Sequence, residues 1–133
     1  MNLLSGVDIT ASALNAEKVR MDVVAQNIAN AHTTRDVDGH AYQRKVVSFE
    51  AMLDSSGKNG VSITQIANDP TPGETVYDPN HPDADKNGMV QMPNVNLATE
   101  MVDLMSSSHA YEANLSVIRN AKQMATKALS IGK

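Results

Sequence analysis

Apolar residues recur every seven positions in both terminal parts of the chain. In the N-terminal part the repeat and its offset positions are formed by Val7, Ala11, Leu14, Met21, Ala25 and Ile28. A seven-residue apolar repeat places one narrow seam on a helix, which is typical of helices that supercoil around a partner. The pattern predicts a helix that ends near Asn30, since Thr33 and Thr34 are poor helix formers.

The C-terminal part carries a longer repeat with two apolar faces. Its seam consists of Leu97, Met101, Leu104, Tyr111, Leu115, Ile118, Ala125 and Leu129. Its second face consists of Val117, Ala121, Met124, Ala128 and Ile131. Asn96 is a suitable N-cap, and the uninterrupted segment that follows it predicts a helix of roughly 50 Å.

The two terminal repeats predict an antiparallel coiled coil within the chain. One partner helix cannot bury both the seam and the second face of the C-terminal helix, so the second face must contact something else. We expect it to contact another molecule; the alternative is that the middle of the chain folds over it. Lys18 and Lys122 occupy seam positions, where they either extend to solvent or fix the register of the helices.

Residues 32–94 have a different character. They contain all five prolines and five of the seven glycines, which favour turns. Short β-like runs predict strands near residues 42–50, 61–64, 75–77 and 89–92, with a hairpin loop at residues 55–60. The predicted fold is mainly α with a small β insert: an N-terminal helix (1–31), a β-rich insert (32–94) and a C-terminal helix (95–133).

Composition narrows the class of protein. Only 3% of the residues are aromatic, so a thick globular core is not expected. The formal charge of −4 and the lack of a basic cluster argue against a nucleic-acid interface. The absence of cysteine excludes disulfides and thiolate chemistry. The first nine residues lack the features of a cleaved signal peptide, so the residues by themselves predict a soluble cytoplasmic protein.

One segment resembles a calcium-binding loop. Asp83, Asp85, Asn87 and Gly88 match the first half of an EF-hand, but Asn94 stands where a bidentate glutamate is required. We therefore predict an Asx-rich turn rather than a metal site. The four histidines lack metal-ligand spacing, and the chain has no nucleophile or phosphate-binding motif, so we predict no catalytic, cofactor or metal site.

The end of the first repeat carries a family signature. Residues 25–33, with Asn27, Ile28, Ala29, Asn30 and Thr33, resemble the N-terminal motif of the bacterial flagellar rod and hook axial proteins. Residues 78–85 and 92–96 resemble the proximal rod members of that family in particular. Residues 100–105 and 111–114 resemble the family's C-terminal helix.

The resemblance implies a structural subunit of the flagellar basal-body rod, which assembles into a torque-transmitting drive shaft. The partners it implies are other copies of the chain, the rod proteins FlgB, FlgF and FlgG, the base protein FliE and the flagellar type III export apparatus. It also implies export without a cleaved signal to a rod that spans the periplasm, which revises the cytoplasmic prediction. The alternatives are a calcium-binding helical module, a cytoplasmic coiled-coil adaptor and a different subunit of the same rod.

Overall fold

Two long helices lie at the ends of the chain, with four strands between them in sequence. The computed structural model describes residues 3–53 and 57–133. The elements are α1 (Leu3–Ala29), β1 (Lys45–Leu53), β2 (Asn59–Asn68), β3 (Thr75–Tyr77), β4 (Met89–Gln91) and α2 (Leu97–Ile131). The prediction of terminal helices separated by a β segment is confirmed.

Hydrogen bonds of the Asn-rich sequence end helix α1. The amide of Asn30 donates to the carbonyl of Gln26 at 3.0 Å, and that of Ala31 donates to Ile28 at 3.2 Å, which tightens the last turn. The Asn30 side-chain amide also donates to the Gln26 carbonyl at 2.9 Å, and the Thr33 hydroxyl donates to Asn30 Oδ1 at 3.1 Å. These bonds satisfy groups that a helix end otherwise leaves unpaired.

Helix α2 begins at a side-chain cap. Oδ1 of Asn96 accepts a hydrogen bond from the amide of Thr99 at 3.1 Å, and the Asn96 carbonyl accepts from the amide of Glu100 at 3.0 Å. This is N-cap geometry. The prediction of Asn96 as the N-cap is therefore confirmed.

The strands form two separate two-stranded sheets. β1 and β2 pair in one antiparallel sheet. β3 and β4 pair antiparallel in a second hairpin, with Val76 opposite Val90 at its centre. The long loop of this hairpin closes at Gly88, whose φ of 74° is a left-handed conformation that glycine adopts without strain.

The predicted hairpin loop at residues 55–60 is wrong in its second half. Asn59 and Gly60 belong to β2, which begins at Asn59. Val61 follows them, and its amide donates to the hydroxyl of Ser12 at 3.0 Å. Ser55 and Ser56 lie outside the described residues.

The described residues form two compact units. Unit 1 combines the described parts of residues 1–21, 48–65 and 105–133, and unit 2 combines residues 22–47 and 66–104. Each unit therefore contains part of both helices and part of the β segment. The buried apolar side chains among the described residues are those of Ala16, Val23, Val24, Ala31, Tyr42, Val90 and Ala121. Within the described residues, no helix has the length and apolarity needed to cross a bilayer.

Candidate functional site

The side chain of Asn27 is the centre of a buried polar cluster in unit 2. Asn27 lies in the last turn of α1 and is 0% exposed. Its amide nitrogen donates to the carbonyl of Lys45 at 2.9 Å and to Glu100 Oε2 at 3.1 Å. Its Oδ1 accepts from the amide of Lys45 and from the Tyr42 hydroxyl, each at 2.9 Å. These four bonds use the full donor and acceptor capacity of an asparagine side chain.

Tyr42 contributes both an apolar ring and a hydrogen-bond donor to the cluster. Its side chain is buried, and its hydroxyl points at Asn27. Burial raises the pKa of Tyr42 above its usual value, and the nearby carboxylates of Asp36 and Glu100 raise it further. The phenol is therefore held in its neutral form, which can donate to Asn27.

Glu100 brings a fully buried carboxylate to the same place. It lies in the first turn of α2, is 0% exposed, and accepts from Asn27 through one oxygen and from Arg44 Nε through the other. The hydrogen bond to Glu100 raises the pKa of the Arg44 guanidinium. A buried charge left without a partner would cost several kcal/mol, so the two side chains depend on each other.

Arg44 also reaches two carboxylates at the edge of the cluster. Its guanidinium lies 3.4 Å from Asp103 Oδ2 and 3.8 Å from Asp69 Oδ2. Hydrogen bonds from Thr71 lower the pKa of Asp69, and the charge of Arg44 lowers it further. The cation thus links α2 to the loop that follows β2.

Asn94 fixes the backbone around this arginine. Its Oδ1 accepts from the amide of Arg44 at 2.6 Å. Its amide nitrogen donates to the carbonyls of Asp69 at 3.1 Å and Thr71 at 2.8 Å. The position that lacks the EF-hand glutamate therefore has a structural role of its own.

Asn27, Tyr42, Arg44 and Glu100 are called the polar junction below. They connect the end of α1, the start of β1 and the first turn of α2 inside unit 2. Such a fully hydrogen-bonded network specifies one arrangement of its elements, because a shifted register would leave buried polar groups unpaired. The junction holds an asparagine, a phenol and an ion pair, which is a structural rather than a nucleophilic arrangement.

Two family models match the chain on either side of the β segment. The model described as "Flagella basal body rod protein" matches residues 8–35. The model described as "Flagellar basal body rod FlgEFG protein C-terminal" matches residues 86–131. The matched ranges contain Asn27 and Glu100, so the two halves of the buried pair each lie in a segment typical of flagellar rod proteins.

Curated relatives match over the whole chain. The flagellar basal-body rod protein FlgC of Bacillus subtilis is 45% identical over an alignment of 150 residues that covers 100% of both chains. The FlgC proteins of Borreliella burgdorferi and Salmonella typhimurium are each 40% identical, with coverage of 98% and 100% of both chains. The chain belongs to the FlgC family of basal-body rod proteins.

This membership decides between the alternatives that the sequence left open. As a member of the FlgC family, the chain is a structural subunit of the flagellar basal-body rod and not an enzyme. It belongs to the basal body and assembles with other rod proteins there. The resemblance read from the sequence is confirmed, and neither a calcium module nor a cytoplasmic adaptor has support.

The axial-family motif at the end of α1 divides into buried, half-buried and exposed positions. Asn27 is completely buried, Ile28, Asn30 and Thr33 are half-buried, and Ala29 is exposed. Asn27 holds the polar junction, whereas Asn30 and Thr33 bond to each other and end the helix. The motif therefore combines a helix stop with a long-range anchor.

The predicted seam residues of α1 differ in exposure. Val7, Leu14, Met21 and Ile28 are half-buried, whereas Ala11 and Ala25 are exposed. The most buried side chains of α1 occupy other positions, namely Ala16, Val23, Val24 and Asn27. The role of the seam in rod assembly stays a prediction.

The predicted seam of α2 is covered only in its middle. Leu104, Tyr111, Leu115 and Ile118 are half-buried. The exposed members are Leu97, Met101, Ala125 and Leu129. The most buried residues of α2 instead repeat at multiples of seven, at Glu100, Ser107 and Ala121.

The second apolar face of α2 is largely open to solvent. Met124 is 56% exposed and Ile131 is 85% exposed. Val117 and Ala128 are also exposed, and only Ala121 is buried. Every residue from 122 to 133 is exposed, so nothing in the described chain covers this end of the helix.

The calcium-like loop uses its carboxylates for internal bonds. Asp83 accepts from the Thr34 hydroxyl at 2.7 Å and pairs with Arg35 at 2.7 Å. Asp85 Oδ1 accepts from the amides of Asn87 and Met89 at 2.7 and 2.9 Å. Across residues 3–53 and 57–133, no group of three metal-ligating side chains is suitably placed for an ion.

Sequence reasoning missed the polar junction as a unit. From the sequence, Asn27 is predicted only as part of the motif and Tyr42 is predicted to lie in a strand. Glu100 is predicted to suit the N-terminal end of a helix and lies in the stretch that resembles the family's C-terminal helix. The available signal was a polar residue in the buried stripe of each helix, since Glu100 lies seven residues before Ser107 on one face of α2. No pattern in the sequence says which of these polar residues pair.

Proposed function

We propose that α1 and α2 pair as an antiparallel coiled coil and form the core of the subunit within the rod. The observation that carries this proposal is the composition of the two units. Unit 1 contains the first part of α1 together with residues 105–133 of α2, and unit 2 contains the end of α1 together with the start of α2. This grouping is the one expected for helices that run in opposite directions.

The predicted seams and the second face are, in this proposal, the surfaces of assembly. Residues 1–31 and 95–133 supply the helical core, and residues 32–94 form an insert between them. The open stripe from Val117 to Ile131 supports an intermolecular role, because a monomeric protein rarely exposes a long contiguous apolar stripe. Packing of helices from several subunits would bury it.

The polar junction supports a role in transmitting torque. It joins both helices to the insert through buried bonds that require one register. A shaft subunit has to resist sliding of its helices under load, and a register fixed by buried polar groups provides such resistance.

We further propose that the chain contacts other copies of itself, FlgB, FlgF, FlgG and FliE in a rod that spans the periplasm. It would reach the rod through the flagellar type III export apparatus without cleavage of a signal. The intact mass of the protein from purified basal bodies tests the second statement. A mass equal to that of the full chain is expected, and a shortened N-terminus would refute it.

Leu14→Asp tests the assembly seam. Leu14 is half-buried at the middle of the predicted seam, and a carboxylate there would have to be desolvated when helices pack. We expect loss of rod assembly and of swimming, with export into the medium retained. The matched control is Asn15→Asp, which adds the same carboxylate at the adjacent exposed position and should leave swimming intact.

Motile cells that carry Leu14→Asp as their only copy would disprove the seam assignment. Loss of swimming in both variants would show a general intolerance of this helix to charge instead.

A further inference from the structure

The charges of this chain are separated between two of its segments. Residues 115–133, called the basic end here, contain no acidic residue and four basic ones: Arg119, Lys122, Lys127 and Lys133. Residues 66–104, called the acidic segment, contain one basic residue, Lys86, and seven acidic ones: Asp69, Glu74, Asp78, Asp83, Asp85, Glu100 and Asp103. The basic end lies in unit 1 and the acidic segment in unit 2.

The basic end presents its charge beside apolar side chains. Met124, Lys127 and Ile131 are three or four residues apart on α2, so they lie on one face of the helix. Met124 is 56% exposed and Ile131 is 85% exposed. This face is therefore a cationic apolar stripe with nothing from the described chain over it.

The acidic segment presents a surface of matching character on strand β3. Backbone bonds continue the β3–β4 ladder beyond the strand, from Met92 N to the Glu74 carbonyl at 2.8 Å and from Asp78 N to the Gly88 carbonyl at 2.9 Å. Alternate residues of an extended strand share one face, which places Glu74, Val76 and Asp78 together. All three are exposed.

We propose that the basic end of α2 in one copy binds the Glu74–Val76–Asp78 face of β3 in a second copy. The basic end has a lysine between two exposed apolar residues, and the β3 face has an exposed valine between two acidic residues, so the two surfaces are complementary in charge. Like-charge repulsion would disfavour contacts of two basic ends or of two acidic segments, so the pairing has a direction. Such a heterologous contact repeats from copy to copy into a ring or a helical array.

This inference rests on the proposed function, since it assigns part of the open second face to a contact between copies. The inference further specifies that the surface contacted by the basic end is the β3 face, and that the basic end of one copy contacts the β3 face of the next. Its variants lie outside both predicted seams and the polar junction, so they test the contact without disturbing the core.

The test measures self-association of the purified full-length chain by sedimentation velocity at low and at physiological salt. Lys127→Glu and Glu74→Lys should each weaken self-association about tenfold, because each places like charges against one another. Added salt should weaken the contact in the unchanged protein, since exposed charges are screened over about 8 Å at 0.15 M. Circular dichroism establishes that both variants keep their helix content.

Mixing the two variants is the decisive step. Lys127→Glu retains the acidic face and Glu74→Lys retains the basic end, so an equimolar mixture contains an intact contact and should recover association. Lys86→Glu is the control, because it changes the same charge at an exposed site outside both surfaces. It should associate as the unchanged protein does.

Unchanged association of Lys127→Glu would overturn the proposal, as would a mixture no better than its components or a Lys86→Glu variant equally impaired. If these results occur while Leu14→Asp still abolishes assembly, only the contact between copies is wrong. If Leu14→Asp also assembles, the proposed function fails as well.

Discussion

The first turn and the last three turns of α2 have opposite surroundings within one helix. In the first turn, Glu100 is fully buried and bonded to Asn27 and Arg44. From residue 122 onward every side chain is exposed, including Met124 and Ile131. The polar groups of the first region are paired within the single chain, whereas the second region has an apolar surface that nothing in the described residues covers.

This difference in surroundings indicates that buried polar bonds and exposed apolar side chains have separate roles in a rod subunit. Buried polar bonds add little net stability but forbid alternative registers. Burial of a large apolar side chain contributes about 1.5–3 kcal/mol without fixing direction. We therefore expect the polar junction to control the fold of the subunit and the open end of α2 to control assembly.

The largest effect on the fold is expected from Glu100→Ala. The change leaves the buried part of Arg44 and the amide of Asn27 without their partner, which for a buried ion pair costs about 3 kcal/mol. Urea unfolding of the purified chain measures the loss in the free energy of unfolding. Glu112→Ala is the matched control, because Glu112 is exposed on the same helix and should change that free energy by no more than about 0.5 kcal/mol. Equal effects of the two changes would show that the buried bonds of Glu100 do not stabilise the fold.

A smaller effect is expected from Tyr42→Phe, which removes the hydroxyl that donates to Asn27. Loss of this bond should lower the free energy of unfolding by about 1 kcal/mol at neutral pH. Because the pKa of Tyr42 is raised in the folded chain, the contribution of the neutral phenol is complete below its ordinary pKa. It is lost as the pH rises through the higher folded value.

The advantage of the unchanged protein over Tyr42→Phe should therefore shrink above about pH 10. Urea unfolding of both proteins at a series of alkaline pH values measures this difference. A difference that stays constant or grows with pH would show that the hydroxyl does not act as a buried donor.

The helices could be predicted from the sequence because their signals are local. The seven-residue repeats predict where the helices lie, the Asn96 cap predicts where α2 begins, and the Asn-rich sequence predicts where α1 ends. The structure has both helices in these places. The first and last residues of the strands are harder to predict from the sequence. Asn59 and Gly60 are typical turn residues, yet they begin β2, where the amide of the next residue, Val61, bonds to Ser12 in a distant part of the sequence.

The polar junction could not be predicted because its bonds are long-range. Asn27 and Glu100 are 73 residues apart, and Arg44 reaches Glu100 across 56 residues. Nothing in the local sequence distinguishes a buried Glu100 from a carboxylate that merely favours a helix N-terminus. The second apolar face of α2 could be predicted from the spacing of its residues, whereas the surface that binds to it could not.

Accessibility of residue 124 in the free and the assembled protein tests the central claim most directly. The chain has no cysteine, so Met124→Cys introduces a single thiol. We expect a thiol reagent to label it rapidly in the purified chain, slowly in intact basal bodies, and rapidly again once the basal bodies are dissociated. Equally rapid labelling in intact basal bodies would show that the open end of α2 is not an assembly surface.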